Sequence, residues 1–157
     1  MIILKNNCKS NNISKNVIKI IEILKKIYPD AKCSLDFTTS FELGIAVMLS
    51  AQCTDERVNK TTPSIFAKYK TPQDFIDIDI KILEELIHPC GFYKTKAKNI
   101  KGYAKKVLED FDGVLPQSID KLITLPGIGR KSANVIMLEA FNNPVRNCCR
   151  YTCQKNF

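Results

Sequence analysis

Lys131 is the residue of this 157-residue sequence whose position best suits covalent chemistry. It stands in "LPGIGRKSANVI", residues 125–136, at the expected start of a helix. The positive end of a helix dipole disfavours the ammonium form of a nearby lysine. A neutral amine can attack a sugar C1′ and form a Schiff base. A lysine that only binds phosphate would occupy the same position, so the residue types leave both roles open.

The residues before Lys131 predict a hairpin between two helices. Pro126 fixes φ, and the two glycines that follow permit a tight turn with close backbone approach. The N–H groups at the start of the second helix point outward and suit a phosphate. We predict a helix–hairpin–helix motif at about residues 118–142 that grips a DNA backbone without reading its sequence. An ordinary helix–turn–helix corner is the alternative. The candidate contacts are Gly127, Ile128, Gly129 and Arg130.

Charge and composition favour an anionic partner. The 24 Lys and Arg residues outnumber the 16 Asp and Glu residues and give a net charge of +8. Such an excess favours nucleic acid, although a merely basic soluble protein is an alternative. No run approaches the ~20 apolar residues of a membrane span. The first residues turn polar too soon for a secretory signal, which favours a cytoplasmic location.

The elements that must position these residues are all helical in the predicted pattern. No segment alternates like a strand, and apolar residues recur at helical spacing. Thr39 and Glu42 have the spacing of a capping box, and Thr71 precedes Pro72 as an N-cap. We expect a break near Pro63. The predicted helical segments are about residues 14–28, 39–52, 54–69, 71–78, 80–93, 94–113, 116–125 and 130–141, and the second should be the buried central helix.

Three ordered motifs resemble the endonuclease III family of base excision repair. They are "MLSAQCTDERVNK" at 48–60, "GFYKTKAKNI" at 91–100 and "LPGIGRKSANV" at 125–135. The resemblance runs from about residue 17 to Pro144. It implies the helix–hairpin–helix DNA glycosylase fold. It also implies a monomeric, nucleoid-associated enzyme that removes oxidised pyrimidines from double-stranded DNA and cleaves the strand at abasic sites by β-elimination.

The same resemblance assigns roles to individual residues. It makes Lys131 the nucleophile that attacks C1′. Gln52 matches the residue that fills the gap left by a flipped base, and Phe92 stands where the family has an apolar wedge beside the opposite strand. A polar helix terminus for Gln52 and a core aromatic for Phe92 are the alternatives.

Two features of the family are missing from the sequence. After the hairpin helix, the family has "GIAVDTHVKRI", whose Asp assists the lysine. It also has four cysteines spaced C-x6-C-x2-C-x5-C that bind a 4Fe–4S iron–sulfur cluster. Here Cys148, Cys149 and Cys153 lack that spacing, so we expect no metal site and no cluster. The other four cysteines are dispersed and predicted to be reduced thiols.

The segment "RNCCRYTCQKNF" can be explained by a shift of reading frame. Codons chosen for it, read one nucleotide later, encode "GIAVDTHVKRI", with the Asp codon straddling Arg150 and Tyr151. We hypothesise a frameshift near Val145 and Arg146; a gene without GAT or GAC at that place would refute it. The resulting domains are an N-terminal helix (1–30) that packs on a missing half in the family, a six-helix domain (31–144) and an aberrant tail (145–157). Activity should be impaired.

Two other functions remain open from the sequence. A non-catalytic DNA-binding module would use the same hairpin as a backbone grip. The adenine-removing relatives share the fold but usually lack a lysine at the position of Lys131. The lone His88 is interpreted as a helix-end residue rather than a general base, because no partner is apparent.

Overall fold

The computed structural model describes residues 10–29 and 33–143, with side chains from residue 16 onward in the first stretch. These two stretches belong to separate compact units. The described residues form helices and no strand, which confirms the all-α prediction. None of these helices is long and apolar enough to cross a membrane. The helices are α1 (Ser10–Ile27), α2 (Ser40–Leu49), α3 (Asp55–Lys68), α4 (Pro72–Asp77), α5 (Ile80–Ile87), a 3-10 helix (His88–Cys90), α6 (Tyr93–Phe111), α7 (Ile119–Leu122) and α8 (Arg130–Phe141).

The described part of the first unit is the single helix α1. It begins at Ser10 rather than at the predicted residue 14, because the residues in between include no proline or glycine to stop it. Its large apolar side chains from Val17 to Tyr28 are 46% to 63% exposed. Its packing on further helices, as in the family, stays a prediction, and so do the domain limits given above. The tail from residue 145 lies outside the described residues.

Helix α2 is the centre of the second unit. Thr39 accepts a hydrogen bond from the Glu42 N–H, and the Glu42 carboxylate accepts from the Thr39 N–H, so the predicted capping box is confirmed. Every residue from Phe41 to Leu49 is buried, as predicted for the central helix. Tyr103 of α6 stacks on Phe41 at 5.1 Å, and its hydroxyl donates to the Phe41 carbonyl. Helix α2 contacts α3, α6 and α8, so the core forms around it.

The expected break near Pro63 is wrong. Helix α3 runs without interruption from Asp55 to Lys68. Pro63 is exposed, so its ring projects to solvent and disturbs no core contact. Burial of Val58 and Ile65 on the opposite face offsets the backbone hydrogen bond that proline cannot make. A proline inside a helical pattern is tolerated here because tertiary packing outweighs the local cost.

Several lysines of helix α6 donate hydrogen bonds to backbone carbonyls of neighbouring elements. The helix ends where predicted, with Asp112 in the left-handed region. The ammonium of Lys96 donates to the Leu49 and Cys90 carbonyls, that of Lys101 to the Ile76 and Ile78 carbonyls, and that of Lys106 to the Thr124 carbonyl. Each of these acceptors lies at or just beyond the last turn of a neighbouring helix, where carbonyls lack helical partners. These lysines therefore tie α6 to the rest of the unit rather than forming a uniform basic surface.

The cap of α4 should make stability depend on pH. The Thr71 and Lys70 N–H groups donate to the Asp74 carboxylate at 2.9 Å, and these bonds lower the pKa of Asp74. A lowered folded-state pKa means that the stabilisation is present above the unfolded pKa and is lost as pH falls through the folded value. Asp74→Asn should therefore lower the free energy of unfolding at about pH 7 and have a smaller effect at about pH 3, where the stabilisation is already being lost.

Urea unfolding at both pH values tests this prediction. Asp77→Asn is the matched control, because Asp77 is exposed, lies in the same helix and accepts from the Gln73 side chain rather than from the cap. An equal loss of stability for Asp74→Asn at both pH values would contradict the electrostatic origin of the effect.

Candidate functional site

The turn between α7 and α8 is anchored in the core by two apolar side chains. Leu125 is 2% exposed and Ile128 is 5% exposed. The Ile128 N–H donates to the Leu125 carbonyl at 3.1 Å, which closes the turn. Ile128 was predicted as a DNA contact, and that assignment stays a prediction. Its side chain and its N–H are both engaged within the protein, so the structure places it as the anchor of the turn.

Gly127 is required by two independent features. Its φ of +77° lies in the left-handed region, which side chains other than glycine rarely adopt. A Cβ added there would lie 2.6 Å from Met48 Sδ and 3.1 Å from Asn99 Cβ. The tip of the turn therefore packs closely against α2 and α6, and this contact fixes the direction in which α8 begins.

Gly129 is the N-cap of α8 and leaves that end of the helix open. Its φ of −92° and ψ of 175° are ordinary extended values, and a Cβ added there would meet no atom within 4 Å. No side chain caps the helix. The N-terminus of this twelve-residue helix thus presents backbone N–H groups beside open space, which suits an anionic ligand.

Arg130 and Lys131 occupy the first turn of α8. Both side chains are exposed, and neither forms an ion pair with any carboxylate of the described residues. The amine of Lys131 can therefore reach a ligand held at the helix end. Ala133, one turn further along, is fully buried, as the close packing of a hairpin requires.

Gln52 and Phe92 lie together although they come from different motifs. Both have left-handed backbone conformations, with φ of 54° and 49°. Gln52 is exposed in the turn after α2, and Phe92 is 67% exposed at the N-cap of α6. Phe92 is therefore not the core aromatic that the sequence left as an alternative. The two residues line one cavity of about 230 Å³ together with Met48, Ala51, Thr95, Lys96, Asn99 and Gly127.

This cavity brings together three of the predicted site residues and leaves out four. Gln52, Phe92 and Gly127 line it. The residues that do not line it are Ile128, Gly129, Arg130 and Lys131. The site thus has two parts: a cleft between the turns after α2 and before α6, and the open end of α8. Gly127 belongs to both parts because it packs on Met48 and also precedes α8.

Lys96 is the residue that sequence reasoning missed. It is 6% exposed, and its Nζ lies 2.9 Å from both the Leu49 and the Cys90 carbonyl oxygens. Burial lowers its pKa. The signal for its burial is its spacing: it falls in helical register with Ile100, Tyr103 and Val107 on the buried face of α6. Because several other lysines surround Lys96 in the sequence, it looks like another solvent-exposed lysine.

Two other features, the lone His88 and a second cavity, take no part in this site. His88 is exposed and begins the 3-10 helix after α5, with its ring 4.6 Å from that of Tyr93. The second cavity, about 660 Å³, lies between the start of α2 and α3 and is lined by Glu42 and Phe66 among others. The Glu42 carboxylate there is already bonded to two backbone N–H groups.

The described part of the chain holds no group of three or more His, Cys, Asp or Glu side chains that could bind a metal. Its three cysteines, Cys33, Cys53 and Cys90, are free thiols. Burial raises the pKa values of Cys33 and Cys90. Cys148, Cys149 and Cys153, on which the expectation about a cluster rests, lie outside the described residues. The described residues therefore do not fit an iron–sulfur cluster, which needs four thiolates.

Comparisons with known proteins agree with the three motifs. The model of the HhH-GPD superfamily of base excision DNA repair proteins matches residues 45–148. Endonuclease III of Synechocystis sp. is 52% identical over 123 residues, which are 78% of this chain and 56% of that protein. The resemblance to endonuclease III is thereby confirmed. The chain spans little more than half the length of this relative.

Two solved structures of endonuclease III have the same fold. One is a non-covalent complex with DNA and the other is a trapped covalent intermediate with DNA that is described as an estranged-adenine complex. Each has a TM-score of 0.78 and 42% identity, and covers 82% of this chain and 60% of the solved one. The helix–hairpin–helix glycosylase fold that the motifs predict is confirmed by this likeness.

Proposed function

Since the chain belongs to the HhH-GPD superfamily of base excision DNA repair proteins, we propose that it binds duplex DNA and acts on abasic sites as a β-elimination lyase. The observation that carries this proposal is the position of Lys131, exposed in the first turn of a helix whose N-terminus is open. The net charge of +8 favours the anionic partner. The endonuclease III complexes with DNA support the same partner.

The N-terminus of α8 would bind the phosphate backbone of the DNA. A backbone phosphate placed before Gly129 would accept hydrogen bonds from the first N–H groups of α8 and lie at the positive end of its dipole. The guanidinium of Arg130 can add a charge-assisted bond from the same turn. These contacts involve the DNA backbone alone, so they hold the duplex without choosing its sequence.

The residues of the cleft would stabilise the duplex at the position from which the damaged nucleotide is extruded. Extruding a nucleotide costs a few kcal/mol of stacking and pairing energy, and filling the gap recovers part of that energy. Gln52 projects from one side of the cleft as a polar filler, and Phe92 projects from the other as an exposed apolar wedge. Their roles in filling the gap and in facing the opposite strand are part of the proposal.

The chemistry uses the Lys131 amine. At an abasic site the sugar opens to an aldehyde, and the amine adds to C1′ to give a carbinolamine that loses water as an imine. The imine acidifies the C2′ protons. Removal of one of them expels the 3′ phosphate and cuts the strand. Hydrolysis of the product imine returns the free amine, so the lysine is regenerated.

Removal of an intact oxidised pyrimidine demands more than capture of an abasic site. The base must leave as the amine attacks, and the developing sugar cation needs a nearby carboxylate. The sequence has no "GIAVDTHVKRI" segment to supply that Asp. We therefore propose that base release by this chain is weak and that the lyase step is retained. No step is assigned to an iron–sulfur cluster. We place the chain in the cytoplasm, at the nucleoid, as a monomer.

Borohydride trapping tests the proposal. The 157-residue chain is incubated with a duplex that contains one abasic site, and separately with one that contains an oxidised thymine. We expect a covalent adduct and a cut strand on the first duplex and little base release on the second. Efficient release of the oxidised base would contradict the proposed impairment. Duplex binding without any adduct would instead indicate the non-catalytic grip, which the open helix end also supports.

A further inference from the structure

We propose that Lys96 is a positioning residue that fixes the two sides of the cleft relative to each other. It holds the turns that carry Gln52 and Phe92 at the separation needed to bind a duplex from which one nucleotide has been extruded. This inference rests on the proposed function, because it concerns the same cleft.

The hydrogen bonds of Lys96 are placed at the bases of both turns. The Leu49 carbonyl is at the last residue of α2, three residues before Gln52, and the Cys90 carbonyl is at the last residue of the 3-10 helix, two residues before Phe92. Nζ lies 2.9 Å from each carbonyl oxygen. One buried ammonium therefore joins the starts of the two turns.

The turns need such a connection because their backbones are strained. Gln52 and Phe92 both have positive φ, a conformation that side chains other than glycine keep only where their surroundings hold it in place. Helix-end carbonyls lack helical partners, and a charged donor satisfies them better than a neutral one. Loss of the ammonium would free both turns at once.

Helix α6 supplies a matched control in Lys101. Its Nζ also donates to two carbonyls at the end of a neighbouring helix, that of Ile76 in the last turn of α4 and that of Ile78 just after it. It does not line the cleft. Lys96→Met and Lys101→Met therefore remove the same kind of clamp from the same helix, and only the first removes it from beneath Gln52 and Phe92.

The experiment measures two properties of the full chain and its variants. The first is hydrogen exchange of the DNA-free protein in the two turns. The second is the ratio of affinities for a duplex with a tetrahydrofuran abasic analogue and for the undamaged duplex. Lys96→Met should speed exchange in both turns and lower the ratio about tenfold, through weaker binding of the duplex with the abasic analogue. Lys101→Met should leave the ratio as in the wild type. Lys96→Arg, which keeps a charged donor, should retain most of it.

Coupling to Gln52 separates positioning from a general loss of stability. If Lys96 acts through Gln52, Lys96→Met should lower the ratio less in a Gln52→Ala background than in the wild type, whereas independent effects would multiply. Should Lys96→Met not melt cooperatively, Lys96→Gln takes its place, because its amide keeps one neutral donor. An unchanged ratio in the folded Lys96 variant, with a normal wild-type ratio, would overturn this inference alone. A wild-type ratio near one would overturn the proposed function, and the DNA role of Lys96 with it.

Discussion

Lys131→Ala is expected to lower the rate of borohydride-trapped adduct formation on an abasic duplex by at least about a thousandfold, which is the usual scale for removal of a nucleophile. Lys131 lies exposed in the first turn of α8, so its amine is the group that can reach a sugar held at that helix end. Binding should persist, because the backbone N–H groups remain. The slope of log affinity against log salt concentration should fall by about one unit, as for one lost phosphate contact.

Arg130→Ala is the control for this result. Arg130 is the neighbouring exposed cation in the same helical turn, so its removal should reduce the salt dependence of binding by a similar amount. Its adduct should still form once the duplex is saturated, because the nucleophile is intact. An adduct that persists in Lys131→Ala would show that another amine reacts, and peptide mapping of the reduced adduct would locate it.

Local chemistry made some elements predictable from the sequence. The cap of α2 depends on Thr39 and Glu42, which are three positions apart, and the start of α4 was predicted from Thr71 and the adjacent Pro72. The tight turn before α8 likewise follows from the glycines within it. Pro63 was misjudged because its effect depends on which face of α3 is buried, and the neighbouring helices decide that.

The site was less predictable because its parts meet only in the folded chain. Gln52 and Phe92 were assigned from a family resemblance, and no spacing in the sequence indicates that they line one cleft. Lys96 was missed because one of its acceptors, the Leu49 carbonyl, lies 47 residues away. The register of Lys96 on the buried face of α6 indicates its burial, but a backbone carbonyl has no sequence signature, so the partners of Lys96 cannot be recognised from residue types.

Gly127→Ala is expected to lower the free energy of unfolding by about 2–6 kcal/mol, the sum of a strained backbone and an overpacked contact. The added methyl group would require a residue other than glycine at φ +77° and would overlap Met48 Sδ at 2.6 Å. Relief of the overlap would move the turn away from α2 and α6 and redirect the start of α8. Duplex affinity should therefore fall together with stability, as measured by urea unfolding and by titration with an undamaged duplex.

Gly129→Ala should separate these two effects. Its φ of −92° is ordinary for alanine, and its new methyl group meets no protein atom within 4 Å, so stability should change by less than about 1 kcal/mol. The same methyl group would occupy the space through which a phosphate approaches the open end of α8, so duplex affinity should fall in a fully folded protein. Wild-type affinity in Gly129→Ala would contradict close backbone approach at this residue and would move the phosphate site away from the helix end. We expect both variants to lose duplex affinity and only Gly127→Ala to lose stability. That result would show that Gly127 maintains the shape of the hairpin and that Gly129 contacts the DNA.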